Sequence, residues 1–408
     1  MHDPKRVIET LRNHLTQPET NVSFLFGAGT SSSVRVPIPN QGEQEVTFRS
    51  LIPNVAELTA FCSTEIRRLD PEGVSKFATA LDSIEGEVRI PGRNPNIEDV
   101  LSCVRRKISA MGSTDTLSGL TLEELQVLES TIRKTIAAQV NPDRSGFPEN
   151  LPHEDFVRWI ARMPRRHPVE IFTTNYDVLL ETALEAERVP TFDGFVGCNR
   201  PFFLNDSMVR PDATPGAAWV RLWKVHGSIN WRIDTVRGKK RVIRGEPNND
   251  GEMIMPSQHK YDESRKQPYT ALLDRMIRAL ARDDSILFVC GYSFSDDHVN
   301  AIIFDALEAK KRPHVIALQY VDPSDGDILS ERAARFSNLL VLGPTVGIIG
   351  GERAGWKISD VSSADIYSKA FTINKKESDE EMILGTGKFL LGDFVSFSQF
   401  LVSLTGPA

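Results

Sequence analysis

Apolar positions along this chain follow two rhythms, one of helical spacing and one of unbroken runs. In PKRVIETLRNHL (4–15), Val7, Ile8, Leu11 and Leu15 share a face and Pro4 suits a first turn, which predicts an opening helix. VSFLF (22–26) is instead a short apolar run of strand length. Residues 34–50, rich in Pro, Gly, Asn and Gln, read as a loop. Helical spacing then dominates residues 51–163. In TLEELQVLESTIRKTIAAQV, Thr121 and Glu124 have capping-box spacing, and Leu125, Leu128, Ile132 and Ile136 form a stripe. Breaks rich in Pro and Gly at 91–97 and 142–152 divide this region.

From residue 169 the runs return. VEIFTTN (169–175), WVRLWKVHG (219–227), SILFVCGYS (285–293), HVIALQYVD (314–322) and LLVLG (339–343) are apolar and end in polar residues or glycine. YTALLDRMIRALA (269–281) and HVNAIIFDALEA (298–309) are helix candidates between them, and GDFVSFSQFLVSL (392–404) suits a closing helix. Runs of this kind suit strands covered on both faces, so the expected fold is α/β with a Rossmann-like, mostly parallel sheet. One strand precedes the helical region and the others follow it. The expectation is therefore an α/β domain over 1–50 and 165–408, with a helical insertion domain over 51–164. Residues 232–268 are polar and helix-poor, a long loop or a small excursion.

Composition narrows the function classes. The 408 residues are 40% hydrophobic, ample for a core, and the formal net charge of -7 argues against broad charge-driven nucleic-acid binding. Cys62, Cys103, Cys198 and Cys290 form no CxxC pair, so neither a disulfide framework nor a structural zinc module is expected. No apolar run has membrane-spanning length and the N-terminus lacks a signal core, so a cytoplasmic location is expected.

Candidate chemistry gathers where the apolar runs end. In FGAGTSS, Gly27 and Gly29 permit positive φ and close backbone approach to a ligand, while Thr30 and Ser31 can cap a helix whose free N–H groups favour phosphate. The stretch is neither GxGxxG nor a Walker A motif, and a plain strand-to-helix turn explains it equally well. TTNYD (173–177) offers the Asn175 amide and the Asp177 carboxylate at a strand end, where open α/β folds bind ligands. Capping of the helix in DVLLETALEAE is the competing explanation, above all for Asp177. His226, in KVHG, suits a general base or a partner for a ribose hydroxyl, against a satisfied structural histidine. In CGYSFSDDHVN (290–300), Gly291 and Ser293 are ligand-lining candidates, whereas Ser295 can cap the next helix and Asp296 and Asp297 suit its first turn.

A Ser31, Asp177, His226 hydrolase order exists, but no GxSxG elbow supports it. No HExxH or His/Cys cluster points to a metal. NIED (96–99) is the acidic cluster nearest to what a metal nuclease would use, and Glu98 and Asp99 read better as a helix start.

Taken together, the motifs resemble the sirtuin family. GAGTSSSVRVPIPN is similar to that family's GAGxS turn and cofactor loop, TTNYD to TQNID, and KVHG to its HG pair, while GYSFSDD stands where sirtuins carry GTSL. The likeness covers about residues 20–35 and 169–345. It implies that Gly27, Ala28 and Gly29 approach an NAD diphosphate, with Thr30 and Ser31 facing the cofactor or capping its helix. Asn175 would hold the ribose or a water, Asp177 the nicotinamide carboxamide, and His226 would activate a hydroxyl or water. Gly291 and Ser293 would contact the adenosine side, and Arg35 the phosphates or the nicotinamide side.

Deacetylating sirtuins carry a four-cysteine zinc ribbon after the HG pair, and the cysteine positions here allow none. The pattern is similar to bacterial SIR2-like proteins of phage defence, which hydrolyse NAD to nicotinamide and ADP-ribose, and within them to the Sir2 subunit that works with a HerA-type ATPase. That resemblance implies a HerA-type partner, a homo-oligomer in a large ring, no metal, and nucleic-acid contact only through the partner. The alternatives are an NAD-dependent protein deacylase, an ADP-ribosyltransferase, or a non-catalytic nucleotide-binding subunit of a defence complex.

Overall fold

The computed structural model describes residues 1–38, 47–89, 94–142, 147–251, 268–309, 313–358, 368–373 and 386–406. Its centre is a nine-stranded sheet. The strands are β1 (Asn21–Phe26), β2 (Glu170–Thr173), β3 (Thr191–Phe192), β4 (Val220–Lys224), β5 (Ser285–Cys290), β6 (His314–Leu318), β7 (Leu339–Leu342), β8 (Val346–Ile349) and β9 (Glu352–Gly355). Their order is β9-β8-β7-β6-β5-β1-β2-β4-β3. Pairing is parallel from β7 through to β3. β8 pairs antiparallel with both β7 and β9 at this edge of the sheet. Each apolar run singled out in the sequence supplies a strand of this sheet.

The first helices are α1 (Pro4–Thr16), α2 (Ala28–Ser32), α3 (Val55–Arg67), α4 (Lys76–Glu87), α5 (Ile97–Ala110) and α6 (Leu122–Val140). After them come α7 (Pro152–Arg162), α8 (Leu179–Ala186), α9 (Tyr269–Leu280), α10 (Asp297–Glu308), α11 (Ile328–Arg335) and α12 (Phe394–Ser403). Side-chain alternation along β1 sends Phe24 and Phe26 to one face and Leu25 to the other. Leu11 of α1, Trp159 of α7, Leu184 of α8 and Phe397 of α12 bury the first face. Phe24 meets Phe156 edge-on at 4.9 Å and Trp159 at 5.6 Å, the geometry that ring quadrupoles prefer. Leu272 of α9, Ile303 of α10 and Ala333 of α11 bury the second face. Strands covered on both faces have no polar side to display, which is why they read as continuous apolar runs.

The helical insertion follows directly on β1 and α2. Helices α3 to α6 build a core of their own around Cys62, Ile84, Leu101 and Ile132. Reciprocal capping boxes start three of them, Asn54 with Glu57, Asn96 with Asp99 and Thr121 with Glu124. Tyr176, Leu179 and Ile229, from the segments that leave β2 and β4, are buried in this same cluster. The insertion is thereby seated on the carboxyl ends of those strands. Helix α7 lies inside the 51–164 span expected to form the insertion, yet its Phe156, Val157 and Trp159 are buried in the sheet's core.

Two stretches carry more order than their composition announces. Arg35–Pro37 pairs with Phe48–Ser50 inside the segment expected to be a loop, whose middle, 39–46, lies outside the described residues. Trp231–Val236 and Lys239–Arg244 form an antiparallel hairpin. Its turn uses Arg237 at φ 51° and Gly238 at φ 76°, both in the left-handed region that two-residue hairpin turns demand. Most of its residues are at least partly exposed, so no apolar run betrays it. Residues 252–267 of that helix-poor region lie outside the described residues.

Candidate active site

From β1 the chain moves through the insertion to β2 on one side, while β5 occupies the other side of β1. Strand order reverses here, and open α/β sheets form a crevice beyond the carboxyl ends at such a point. Phe26, Thr173, Lys224 and Cys290, which end β1, β2, β4 and β5, are brought side by side by the parallel register. The four motifs selected from the sequence therefore share one edge.

The glycines of two motifs exist for each other. A Cβ on Gly27 would lie 2.5 Å from the Gly291 carbonyl oxygen, and one on Gly29 would lie 2.6 Å from the Gly291 Cα. A Cβ on Gly291 would lie 2.5 Å from the Thr30 nitrogen, and Gly291 itself has φ +66°. The Gly29 N–H donates to the Gly291 carbonyl at 2.9 Å, and the Gly27 N–H to that of Cys290 at 3.1 Å. Gly27 has φ -108°. Positive φ, one reason the sequence offers for glycine, is therefore used at Gly291 and not at Gly27. The other reason was close approach to a ligand; the group that approaches Gly27 and Gly29 closely is the backbone of the neighbouring turn.

Gly27 is also the N-cap of α2, and Ala28 is the helix's half-buried first residue. Thr30 and Ser31, expected to cap, instead lie within α2 and are buried. The Thr30 hydroxyl donates back to the Gly27 carbonyl at 2.9 Å.

Asn175 locks this turn to β2. Its Nδ2 donates to the Gly27 carbonyl at 3.0 Å, and its N–H donates to the Thr173 hydroxyl at 3.0 Å. The same Nδ2 lies 3.1 Å from the Thr30 hydroxyl and 2.7 Å from that of Ser31. The Ser31 hydroxyl in turn donates to Asp177 Oδ2 at 2.7 Å. Asp177 Oδ1 accepts the N–H of Leu179, the first residue of α8, at 3.0 Å, although Val178 and not Asp177 is the N-cap. Asp177 also lines a recess with Ile52, Val140, Asn141, Phe147 and Pro247. Ser31 and Asp177 thus bond to each other, while His226 is paired elsewhere. The residues of the hydrolase order are not assembled as a nucleophile, base and acid relay.

His226 follows β4 and is 8% exposed. Its Nε2 stands 2.9 Å from Asp296 Oδ2. Burial by itself opposes the imidazolium, but the hydrogen bond and charge of Asp296, with a further pull from Glu98, win and raise the pKa above 6.5. Burial likewise works against the Asp296 carboxylate, yet His226 and the Val299 N–H hold its pKa down at about 2. Asp296 is the N-cap of α10, accepting from the His298 and Val299 N–H groups through Oδ1. It takes the capping place that Ser295 was expected to fill. The Ser295 hydroxyl instead meets that of Ser293 at 2.9 Å.

Glu98 reaches the site from the helical insertion. It lies in the first turn of α5 and accepts from the Tyr176 hydroxyl at 3.0 Å. The Tyr176 ring stands 6.5 Å from that of His226. Burial, followed by the charge of Glu98, pushes the Tyr176 pKa well up, which keeps the phenol protonated as the donor. Lys224, the last residue of β4, pins the TTNYD segment from beneath. Its Nζ donates to the Asp177 carbonyl and lies 2.9 Å from Glu181 Oε1. His153 on α7 is buried and held neutral, its pKa lowered to about 4 by burial against the attraction of Asp177.

The structure therefore brings together Gly27, Ala28, Gly29, Thr30, Ser31, Asn175, Asp177, His226 and Gly291. Ser293 sits beside them on the exposed surface of the same loop. Arg35 stands apart, exposed on a short strand opposite Ser50. Asp296, Glu98, Tyr176 and Lys224 join the site without having been singled out for it. For Asp296 and Glu98 the available signal was their position at a helix start, which by itself points only to capping.

Among the described residues no helix is long and apolar enough to cross a membrane, and no group of three or more His, Cys, Asp or Glu side chains is placed to hold a metal. No curated protein matches the sequence. Residues 169–340, from just before β2 into β7, match the family model of a SIR2-like domain.

Proposed function

We propose that this chain is an NAD glycohydrolase, cleaving the nicotinamide–ribose bond to give nicotinamide and ADP-ribose. The observation that carries the proposal is the pairing of buried His226 with Asp296 beside buried Asn175, at adjacent strand ends of a SIR2-like domain. The donor set suits a dinucleotide, with amide, imidazole and hydroxyl groups gathered at the switch point of the sheet. Backbone contact closes the space between Gly27, Gly29 and Gly291, so diphosphate contact falls to the outer side of the turn around Ala28.

The reaction needs a proton acceptor for the attacking water. Asp296 holds the hydrogen of neutral His226 on Nε2 and leaves Nδ1 as the acceptor. As the water oxygen bonds to the ribose C1′, the C1′–N bond breaks and its electron pair departs with nicotinamide. His226 takes the water's proton, and Asp296 and Glu98 stabilise the imidazolium that results. A positioned base of this kind contributes roughly 10²–10⁴-fold to a rate. In this proposal Asn175 sets the ribose edge of the site through its hold on α2, Asp177 orients the carboxamide, and Gly291 and Ser293 line the adenosine side, while Arg35, exposed opposite Ser50, has no part in it.

Incubation with NAD and an acyl-peptide tests the reaction class. Nicotinamide with plain ADP-ribose supports hydrolysis, and O-acyl-ADP-ribose or an ADP-ribosylated peptide would replace it with transfer. The sequence resemblance extends the proposal to NAD depletion in anti-phage defence, to a ring-forming homo-oligomer and to a HerA-type ATPase partner. Mixing the chain with such an ATPase and sizing the product tests that extension.

A further inference from the structure

At the other end of the strands, away from Asn175 and His226, a second polar centre is built around Glu170. This first residue of β2 is fully buried, at 0% exposure. Arg275 of α9 clamps it from two nitrogens, Nε at 2.8 Å from Oε2 and Nη2 at 2.6 Å from Oε1. Trp223 Nε1 donates to Oε2 at 2.9 Å, and Arg282 Nη2 lies 2.7 Å from Oε1. Arg221, the register partner of Glu170 on β4, brings Nη1 no closer than 3.6 Å.

Among the described residues three guanidinium groups thus surround one carboxylate, an excess of two positive charges. The Arg275 and Arg221 side chains are only 10% and 11% exposed. A guanidinium does not shed its proton to escape such a place, so the excess must be met by an anion or tolerated at a cost. Burial lowers the Arg221 pKa, and the charges of Arg275 and Arg282 lower it further against the pull of Glu170.

Arg221 is also poorly satisfied. Among the described residues its Nε is buried without a hydrogen-bond partner, and its Nη2 donates to the Pro215 carbonyl at a long 3.4 Å. Arg282, 30% exposed, leaves the cluster open to solvent on one side. Asp283 and Asp284, next in the chain, are exposed.

We propose that Arg221, Arg275 and Arg282 form a binding site for a small oxyanion of the phosphate class, separate from the site at Asn175 and His226. The two excess charges match a phosphate dianion, and the unused Arg221 donors supply the directional hydrogen bonds that such an anion accepts. Glu170 acts as the internal counter-charge that holds the guanidiniums in place while the ligand neutralises the remainder.

Isothermal calorimetry and ³¹P line broadening with inorganic phosphate, against chloride at matched ionic strength, test this on the full chain. Saturable binding is expected, weakened at least about tenfold in Arg221→Gln and unchanged in His226→Ala. Should Arg221→Gln fail to fold, the more exposed Arg282→Gln carries the same expectation. Absence of saturable phosphate binding, binding equal to that of the unaltered chain in every folded arginine variant, or binding lost in His226→Ala would each overturn the proposal.

Discussion

His226 Nε2 lies 2.9 Å from Asp296 Oδ2, so the end of β4 is tied to the start of α10 across the candidate site. Asp296 divides its carboxylate, with one oxygen for the helix cap and one for the imidazole. Asp296→Asn separates these roles, because asparagine caps as well as aspartate but carries no charge.

The pH dependence of that pair has a definite sign. His226 has its pKa raised above 6.5, so its contribution is complete below pH 6.5 and is lost as pH rises through the folded-state value. Asp296 has its pKa lowered from 3.8 to about 2, so its contribution is complete above 3.8 and is lost as pH falls toward about 2. Both contributions are complete only between those limits, from 3.8 to 6.5. Asp296→Asn should cost about 1–3 kcal/mol near pH 6 and clearly less near pH 9. Urea unfolding at the two pH values checks this, and an equal cost at both would contradict an ion pair.

Glu98→Gln probes the reach of the insertion into the site. Glutamine still accepts the Tyr176 hydroxyl, so the bond persists while the charge goes. Since Glu98 helps to raise the His226 pKa, the variant should lower it. The rising limb of kcat/KM for nicotinamide release should then move to lower pH, because His226 becomes neutral sooner. An unmoved profile would mean that Glu98 serves α5 and Tyr176 alone.

The mutual fit of the glycine turns predicts unequal costs for alanine. Gly238 has φ +76° with nothing within 4 Å of an added Cβ, whereas Gly291 has φ +66° and a Cβ would lie 2.5 Å from the Thr30 nitrogen. Gly238→Ala should cost about 1 kcal/mol, from backbone strain alone. Gly291→Ala should cost about 1–3 kcal/mol more, from forced overlap of two backbones. Equal unfolding free energies for the two variants would show that the turns have room to part.

The sheet was legible in the sequence because its strands are buried on both faces and read as plain apolar runs, Val22 to Phe26 and Ser285 to Cys290 among them. The α6 cap was legible because Thr121 and Glu124 satisfy each other within one turn. What escaped is non-local. Asp296 reads as a helix start and is one, and nothing in its neighbourhood tells that the second oxygen meets His226. Glu98 hides in the same way behind the capping of α5. Gly27 and Gly29 announce close approach but not the approaching group, which is the backbone of Gly291, brought there by the pairing of β1 with β5. The hairpin from Trp231 to Arg244 was hidden by its exposure and by an Arg-Gly turn in place of Asn-Gly.

Nicotinamide release from NAD, measured for the unaltered chain and for His226→Ala and Asn175→Ala of verified fold, tests the central claim most directly. The account predicts turnover by the unaltered chain and a loss of about 100-fold or more in each variant. Release by both variants at near the unaltered rate would contradict it.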